Sequence, residues 1–159
     1  MEKNSSKGFT FVDVLVGISL MLIIFISIFG AFQLASKMIL LSKYKIAATS
    51  IANEDIEKIR NLVYPSVGIV DGVLPTAVGI LSSTSTVNLN NVDFFIERKI
   101  EYISDEADGT GGADTCDLDY KRVEIRVSWP GRFSGEIKMV TDISPQSKDE
   151  ELASCQAQP

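Results

Sequence analysis

The 159-residue chain contains no histidine. That removes imidazole as a proton carrier or metal ligand, and with it most catalytic zinc arrangements. Cysteine is nearly as scarce: Cys116 and Cys155 are the only two, far apart in sequence. In an exported domain they would close one loop of about 40 residues, worth roughly 3–4 kcal/mol in the chain-entropy account. Two free thiols are the other reading. Positive charge is in deficit, 15 Lys and Arg against 21 Asp and Glu, for a formal charge of −6. This argues against a broad surface for nucleic acid. Proline is missing from everything before Pro65. No nucleophile elbow, phosphate loop or paired ligand motif occurs, so neither an enzyme nor a cofactor is expected.

What the chain does have is an unbroken apolar run. From Val14 to Phe32 it reads VLVGISLMLIIFISIFGAF, without a charge. A helix needs about 20 such residues to cross a bilayer core. The preceding stretch, MEKNSSKG, is short and polar and carries Lys3 and Lys7. A secretory signal would place a small-x-small cleavage site after a shorter apolar region. Here the small residue, Gly8, precedes the apolar run, and Phe32-Gln33-Leu34-Ala35 after it is a poor site. Cleavage at Gly8 would leave the hydrophobic helix on the mature protein.

Asp13 interrupts this pattern one turn into the membrane helix. A carboxylate there is costly and usually has a partner. In a bundle the natural partner is a neighbouring chain's amino terminus; hydration among lipid headgroups is the plainer alternative. Lysine counting does not fix the orientation, because Lys37, Lys43 and Lys45 follow the segment while Lys3 and Lys7 precede it.

Lys7-Gly8-Phe9-Thr10-Phe11-Val12-Asp13-Val14-Leu15-Val16 resembles the class III leader junction of type IV pilins and pseudopilins. The resemblance implies that a prepilin peptidase cuts after Gly8 and methylates the new terminal Phe9. It also implies that Asp13 neutralises the amino terminus of an adjacent subunit during filament assembly. The family usually has glutamate at that position, so the carboxylate is kept one methylene shorter. Many pilins carry a proline in the membrane helix where this chain has Gly30, and both residues weaken a helix. Over the remainder, Ile51 to Leu62, Asp119 to Val123 and Val127-Ser128-Trp129 look like minor pilins of the type IV pilus modification kind.

Residues 9–36 then form the transmembrane and polymerisation helix, and residues 37–63 its amphipathic half. Leu34, Met38, Leu41, Ala48, Ala52, Ile56, Ile59 and Val63 fall at three- and four-residue steps. Such a stripe is expected to be core. A helix from about Thr10 to Leu62 would be roughly 80 Å long at 1.5 Å per residue. Glu54-Asp55-Ile56-Glu57-Lys58-Ile59-Arg60 reads as a solvated face with i,i+3 and i,i+4 pairs.

Residues 64–92 carry turn signals and are read as a connecting loop, including the Ser82–Thr86 run, where glycans are an alternative. Three strands follow in a head spanning 93–143. Phe94, Ile96, Ile100 and Tyr102 face one way in the first, Val123, Ile125, Val127 and Trp129 in the second. Pro130 to Phe133 turns the chain, and Ile137, Met139, Thr141 and Ile143 return it. Period-2 alternation suits an antiparallel sheet with one wet face, against which the helix stripe packs. The expected fold class is therefore α+β: a long N-terminal helix, half transmembrane and half amphipathic, on a small antiparallel sheet.

Asp105, Asp108, Asp114, Asp117 and Asp119 lie in one glycine-containing loop. Hard oxygen donors at this density could ligate calcium, although the spacing is not that of an EF-hand; acidic hairpin turns are the plainer reading. Residues 144–159 form a polar tail.

The functional expectation is a minor pilin-like structural subunit, cut after Gly8 and assembled into a filament through its N-terminal helix. Alternatives are a type II secretion pseudopilin, a major pilin, or a membrane-tethered binding domain that never polymerises. The resemblance implies as partners a prepilin peptidase, other pilin subunits and a pilus or secretion assembly platform. Nucleic-acid binding is not expected. It also implies a single-pass precursor in the inner (cytoplasmic) membrane with an extracytoplasmic head, later part of a pilus or pseudopilus filament at the cell surface.

Overall fold

The structure, a computed structural model, describes Gly8 and residues 10–104, 118–147 and 150. The chain divides into two compact units, 1–42 and 43–159. One helix, α1 (Phe11–Arg60), contributes to both. It runs through Gly30 without interruption, as expected where neither proline nor a cluster of helix breakers intervenes.

In the first unit the helix presents its apolar side chains outward. None of its apolar stretch is buried. It is therefore long and apolar enough to cross a membrane.

In the second unit α1 joins a four-stranded antiparallel sheet, making the head an α+β fold. The strands are β1 (Thr84–Leu89), β2 (Val92–Ile103), β3 (Tyr120–Trp129) and β4 (Gly135–Ile143), in the spatial order 1-2-3-4. Ala48, Ile51, Ala52, Ile56 and Ile59 of α1 share one core with Phe94, Ile96 and Ile100 of β2 and Val123, Ile125, Val127 and Trp129 of β3. Ala48 and Ala52 are completely buried. Side chains this small let a helix approach a sheet closely, and the larger Ile56 and Ile59 fill the space further along. Phe94 and Trp129 meet at a ring-centroid separation of 6.1 Å, a tilted aromatic pair.

The inward alternation in β2, β3 and β4 matches the sequence pattern, and three features differ from it. The helical stripe is core only from Ala48 onward to Ile59; Leu34, Met38 and Val63 are exposed. Leu34 and Met38 lie in the first unit, and Val63 lies beyond the end of the helix. The sheet begins earlier than residue 93, because Thr84–Leu89 forms an edge strand where the sequence suggested loop. Asn90 and Asn91, both at positive φ (52° and 64°), connect β1 to β2 in a two-residue turn. Asparagine tolerates this backbone better than most residues, and such turns fit the right-handed twist of a hairpin.

The third difference is in residues 61–83, which are irregular but contribute core. Val67, Ile69 and Ala77 are buried. The loop is bonded to β2 by Ala77 N–H donating to Ile100 O (2.8 Å) and Tyr102 N–H donating to Pro75 O (3.0 Å). It is closed on itself by Ile69 N–H to Ala77 O (2.7 Å) and Val70 N–H to Leu81 O (2.9 Å). Gly68 is required here: a Cβ would stand 2.3 Å from the Val78 backbone.

Candidate functional site

The candidate site is the start of α1. Gly8 is exposed and lies outside regular structure, and Phe9 is outside the described residues. The helix begins after Thr10, which acts as its N-cap. Thr10 N–H donates to Asp13 Oδ2 (3.0 Å), and so does the Thr10 hydroxyl (2.7 Å). In return Asp13 N–H donates to Thr10 Oγ1 (3.3 Å). This is a reciprocal capping box, in which a carboxylate three residues after the cap satisfies a donor that the helix cannot. The negative charge also lies at the positive end of the helix dipole.

The sequence reading offered Asp13 a neighbouring chain or headgroup water. The structure adds a third partner, Thr10 of the same chain. Both contacts fall on Oδ2, so one carboxylate oxygen is held by the helix start. Downstream, Phe11 to Phe32 presents an exposed apolar surface; Phe11 is 81% and Ile26 72% exposed. Ser19, Ser27 and Ser36 donate their hydroxyls to the carbonyls of Leu15, Ile23 and Phe32. Polar side chains in this segment therefore satisfy themselves within the helix, as a lipid environment demands. Chemically, the arrangement provides an accessible junction, a carboxylate fixed beside it and a long apolar rod.

The other sites singled out from sequence are not assembled within the described residues. Cys116, Cys155, Asp105, Asp108, Asp114 and Asp117 all lie outside them. Asp119 is described and sits just before β3, where its N–H donates to Ile103 O (3.2 Å). Among the described residues no group of three or more metal-ligating side chains converges.

Two polar residues in the head play parts that the sequence reading did not assign. Asp55 was read as part of a solvated helix face. Lys58–Glu54 (2.6 Å) and Arg60–Glu57 (3.5 Å) are exposed pairs of that kind, although Arg60 also donates to the buried Thr141 hydroxyl of β4 (2.9 Å). Asp55 itself turns inward and pairs with Arg98 of β2. The signal was present: Arg98 occupies an inward position between Ile96 and Ile100, and an inward charge needs a partner.

The second is Lys121, on the inward face of β3 by the same parity as Val123. It is completely buried. Its ammonium donates to Tyr64 O (2.9 Å) and Val67 O (2.7 Å), and lies 4.4 Å from the centroid of the Tyr64 ring and 5.2 Å from that of Tyr102. Burial lowers its pKa from 10.5 to about 8. These contacts tie the turn Tyr64–Ser66 to the sheet and give Lys121 a structural role.

No family model, no curated protein and no solved structure matches this chain.

Proposed function

We propose that this chain is a type IV pilin-like subunit, cut after Gly8 by a prepilin peptidase and assembled into a filament through α1. The observation that carries the reading is the order of features at the N-terminus. A Lys-Gly-Phe junction is followed by a carboxylate at Asp13 and then by an uncharged helical surface exposed along its whole length. Cleavage at the junction removes the polar leader and keeps the apolar rod. A rod of this kind has two environments that cover it, lipid and the helices of other subunits. A single-pass precursor in the cytoplasmic membrane that later moves into a filament uses both in turn. Of the machines that use such subunits, a minor subunit of a pilus is the reading we favour, with a secretion pseudopilus as the nearest relative in design. The work of the chain on this view is structural rather than catalytic.

The reciprocal bonds between Thr10 and Asp13 favour one competing reading. They give the carboxylate a partner without any second subunit, which is what a membrane-tethered head that never polymerises would need. Co-expression with a prepilin peptidase, followed by intact mass and N-terminal sequencing, separates the two. A mature chain beginning with N-methylated Phe9 is expected. A chain still beginning at Met1, with the peptidase active on a control substrate, would sink the pilin reading in favour of the tethered head.

A further inference from the structure

The wet face of the sheet carries charged side chains in cross-strand rows. Most of them pair closely: Lys99 with Glu101, Arg122 with Asp142 and Lys138 with Glu124, each at 2.8 Å. One pair does not. Arg126 stands 4.0 Å from Glu97 and 3.6 Å from Glu124, beyond a short hydrogen bond to either. The Glu97 side chain is 65% exposed and that of Arg126 46%.

Next to this loose pair is Phe95. It sits on the wet face of β2, is 48% exposed, and makes no ring or cation contact among the described residues. The other aromatic residue on that face, Tyr120, is engaged by the Arg122 guanidinium. The cross-strand neighbours of Phe95 are Thr86 on one side and Ser128 on the other. In the adjacent row Thr84, Glu97 and Arg126 are aligned in the same way. These six residues, with Ser85 and Ile96, line an open concavity of about 310 Å³, at the lower end of the size range of small-molecule sites.

We propose that this concavity binds a neutral pyranose ring, as a free sugar or as one residue of a glycan. The apolar C–H face of the sugar would lie on Phe95. Its hydroxyls would bond to the unspent Arg126 donors, the Glu97 carboxylate and the flanking Thr and Ser hydroxyls. Two features select this ligand class. The lining charges, Arg126 and Glu97, cancel, and Glu136 opposite Ser128 adds a negative charge at the rim, so nothing there attracts an anionic ligand. The set also offers donors and acceptors together around an aromatic floor, and sugar hydroxyls are both donor and acceptor. The inference stands apart from how α1 is used.

A shallow site for one ring implies low-millimolar affinity. The test uses the full chain in nanodiscs, because alkyl-glycoside detergents would occupy the site. Methyl glucoside, galactoside, mannoside and N-acetylglucosaminide are each titrated to about 50 mM while backbone amide shifts are recorded. Saturable shifts at Thr84, Thr86, Phe95, Glu97, Arg126 and Ser128 with at least one sugar are expected. Phe95→Ala should weaken binding roughly tenfold, and Phe95→Trp should retain it. Near-UV dichroism from Trp129 reports whether each variant keeps its core. Any of three results would overturn the assignment: no saturable shifts with any sugar, equal binding by Phe95→Leu and Phe95→Trp, or the same shift pattern with glycerol or adenosine.

Discussion

Arg98 of β2 reaches across the head and holds Asp55 of α1 through two parallel bonds, Nε to Oδ2 at 2.5 Å and Nη2 to Oδ1 at 2.7 Å. Both side chains are only 10% exposed. Two further donors of Arg98 go to Ser82 O and the Ser85 hydroxyl, so one guanidinium joins the helix, the loop and β1. A bidentate fork of this kind fixes position as well as charge.

Removing one partner leaves the other charged and buried, so Asp55→Ala should cost about 3–5 kcal/mol of head stability. The double variant Asp55→Leu/Arg98→Met replaces the pair with apolar groups of similar size and should recover most of that loss. Urea titration followed by Trp129 fluorescence, on the full chain in nanodiscs, measures both. Equal losses in the single and double variants would mean that the pair has no special cost when broken.

Lys121 gives the head a stability that depends on pH. Its pKa is lowered by burial to about 8 in the folded chain, against 10.5 ordinarily. Between those values the unfolded chain binds more protons than the folded one, so stability rises with pH across that window. The rise from this residue is at most about 3 kcal/mol, since the carbonyl bonds and ring contacts at its ammonium favour the charged form. Below pH 8 both states carry the proton and the contribution is flat. Lys121→Met should remove the rise, seen as the difference between wild-type and variant urea midpoints from pH 7 to 10.5. It should also lower stability near pH 7 by about 1–3 kcal/mol, since Tyr64 O and Val67 O lose their donor.

The parts of the fold legible in the sequence are those written as periodicity. The three- and four-residue steps from Ala48 to Ile59 and the alternation in β2, β3 and β4 each bury a face, and burial leaves a repeating trace; the uncharged run from Val14 buries none and is legible from its length and composition alone. Residues whose placement depends on distant partners leave a weaker one. Asp55 looks like its solvated neighbours until Arg98 is known to face it. Thr84–Leu89 is an edge strand whose short alternation, Val87 and Leu89 between polar residues, marks no buried face, since both stay exposed; the Asn90-Asn91 turn is its readable signal. Leu34 and Met38 keep the helical step of the stripe, yet they belong to the first unit and are exposed. At the N-terminus, sequence alone supplied the junction and the carboxylate. The Thr10 bonds to Asp13 follow the Thr-x-x-Asp spacing of a capping box.

Gly68 should tolerate no side chain. An alanine Cβ would stand 2.3 Å from both the carbonyl carbon and oxygen of Val78, and 2.6 Å from Ala77 O. Backbone atoms cannot swing aside as a side chain can, so the two arms of the loop, at Gly68 and at Ala77-Val78, must part, which disturbs the Ala77 bond to β2. Gly68→Ala should destabilise the head by about 1–3 kcal/mol, the usual range for overpacking. Gly131→Ala, with open space around it but φ at 111°, should cost less sterically and act through backbone strain alone. Amide exchange at Ala77 and Tyr102, whose N–H groups bond across the loop and β2, would quicken in Gly68→Ala and stay unchanged in Gly131→Ala.

The Thr10–Asp13 box allows local capping and filament assembly to be separated at one residue. Asp13→Ala removes the charge and the carboxylate half of the box, leaving Thr10 Oγ1 to accept from the residue-13 amide; Thr10→Ala removes the hydroxyl bonds and leaves the charge; Asp13→Glu keeps both, since glutamate suits this capping position. Loss of a cap typically costs about 1 kcal/mol, which would speed exchange at the first helical amides roughly fivefold in both alanine variants. If Asp13 serves assembly, Asp13→Ala should fail to enter filaments, Thr10→Ala should enter them at reduced yield and Asp13→Glu should match wild type. The measurement is the share of processed chain recovered in a sheared filament fraction, read beside the exchange rates. Equal losses of incorporation in Thr10→Ala and Asp13→Ala, at equal fraying, would assign the carboxylate to helix capping. Its charge would then have no separate role between subunits.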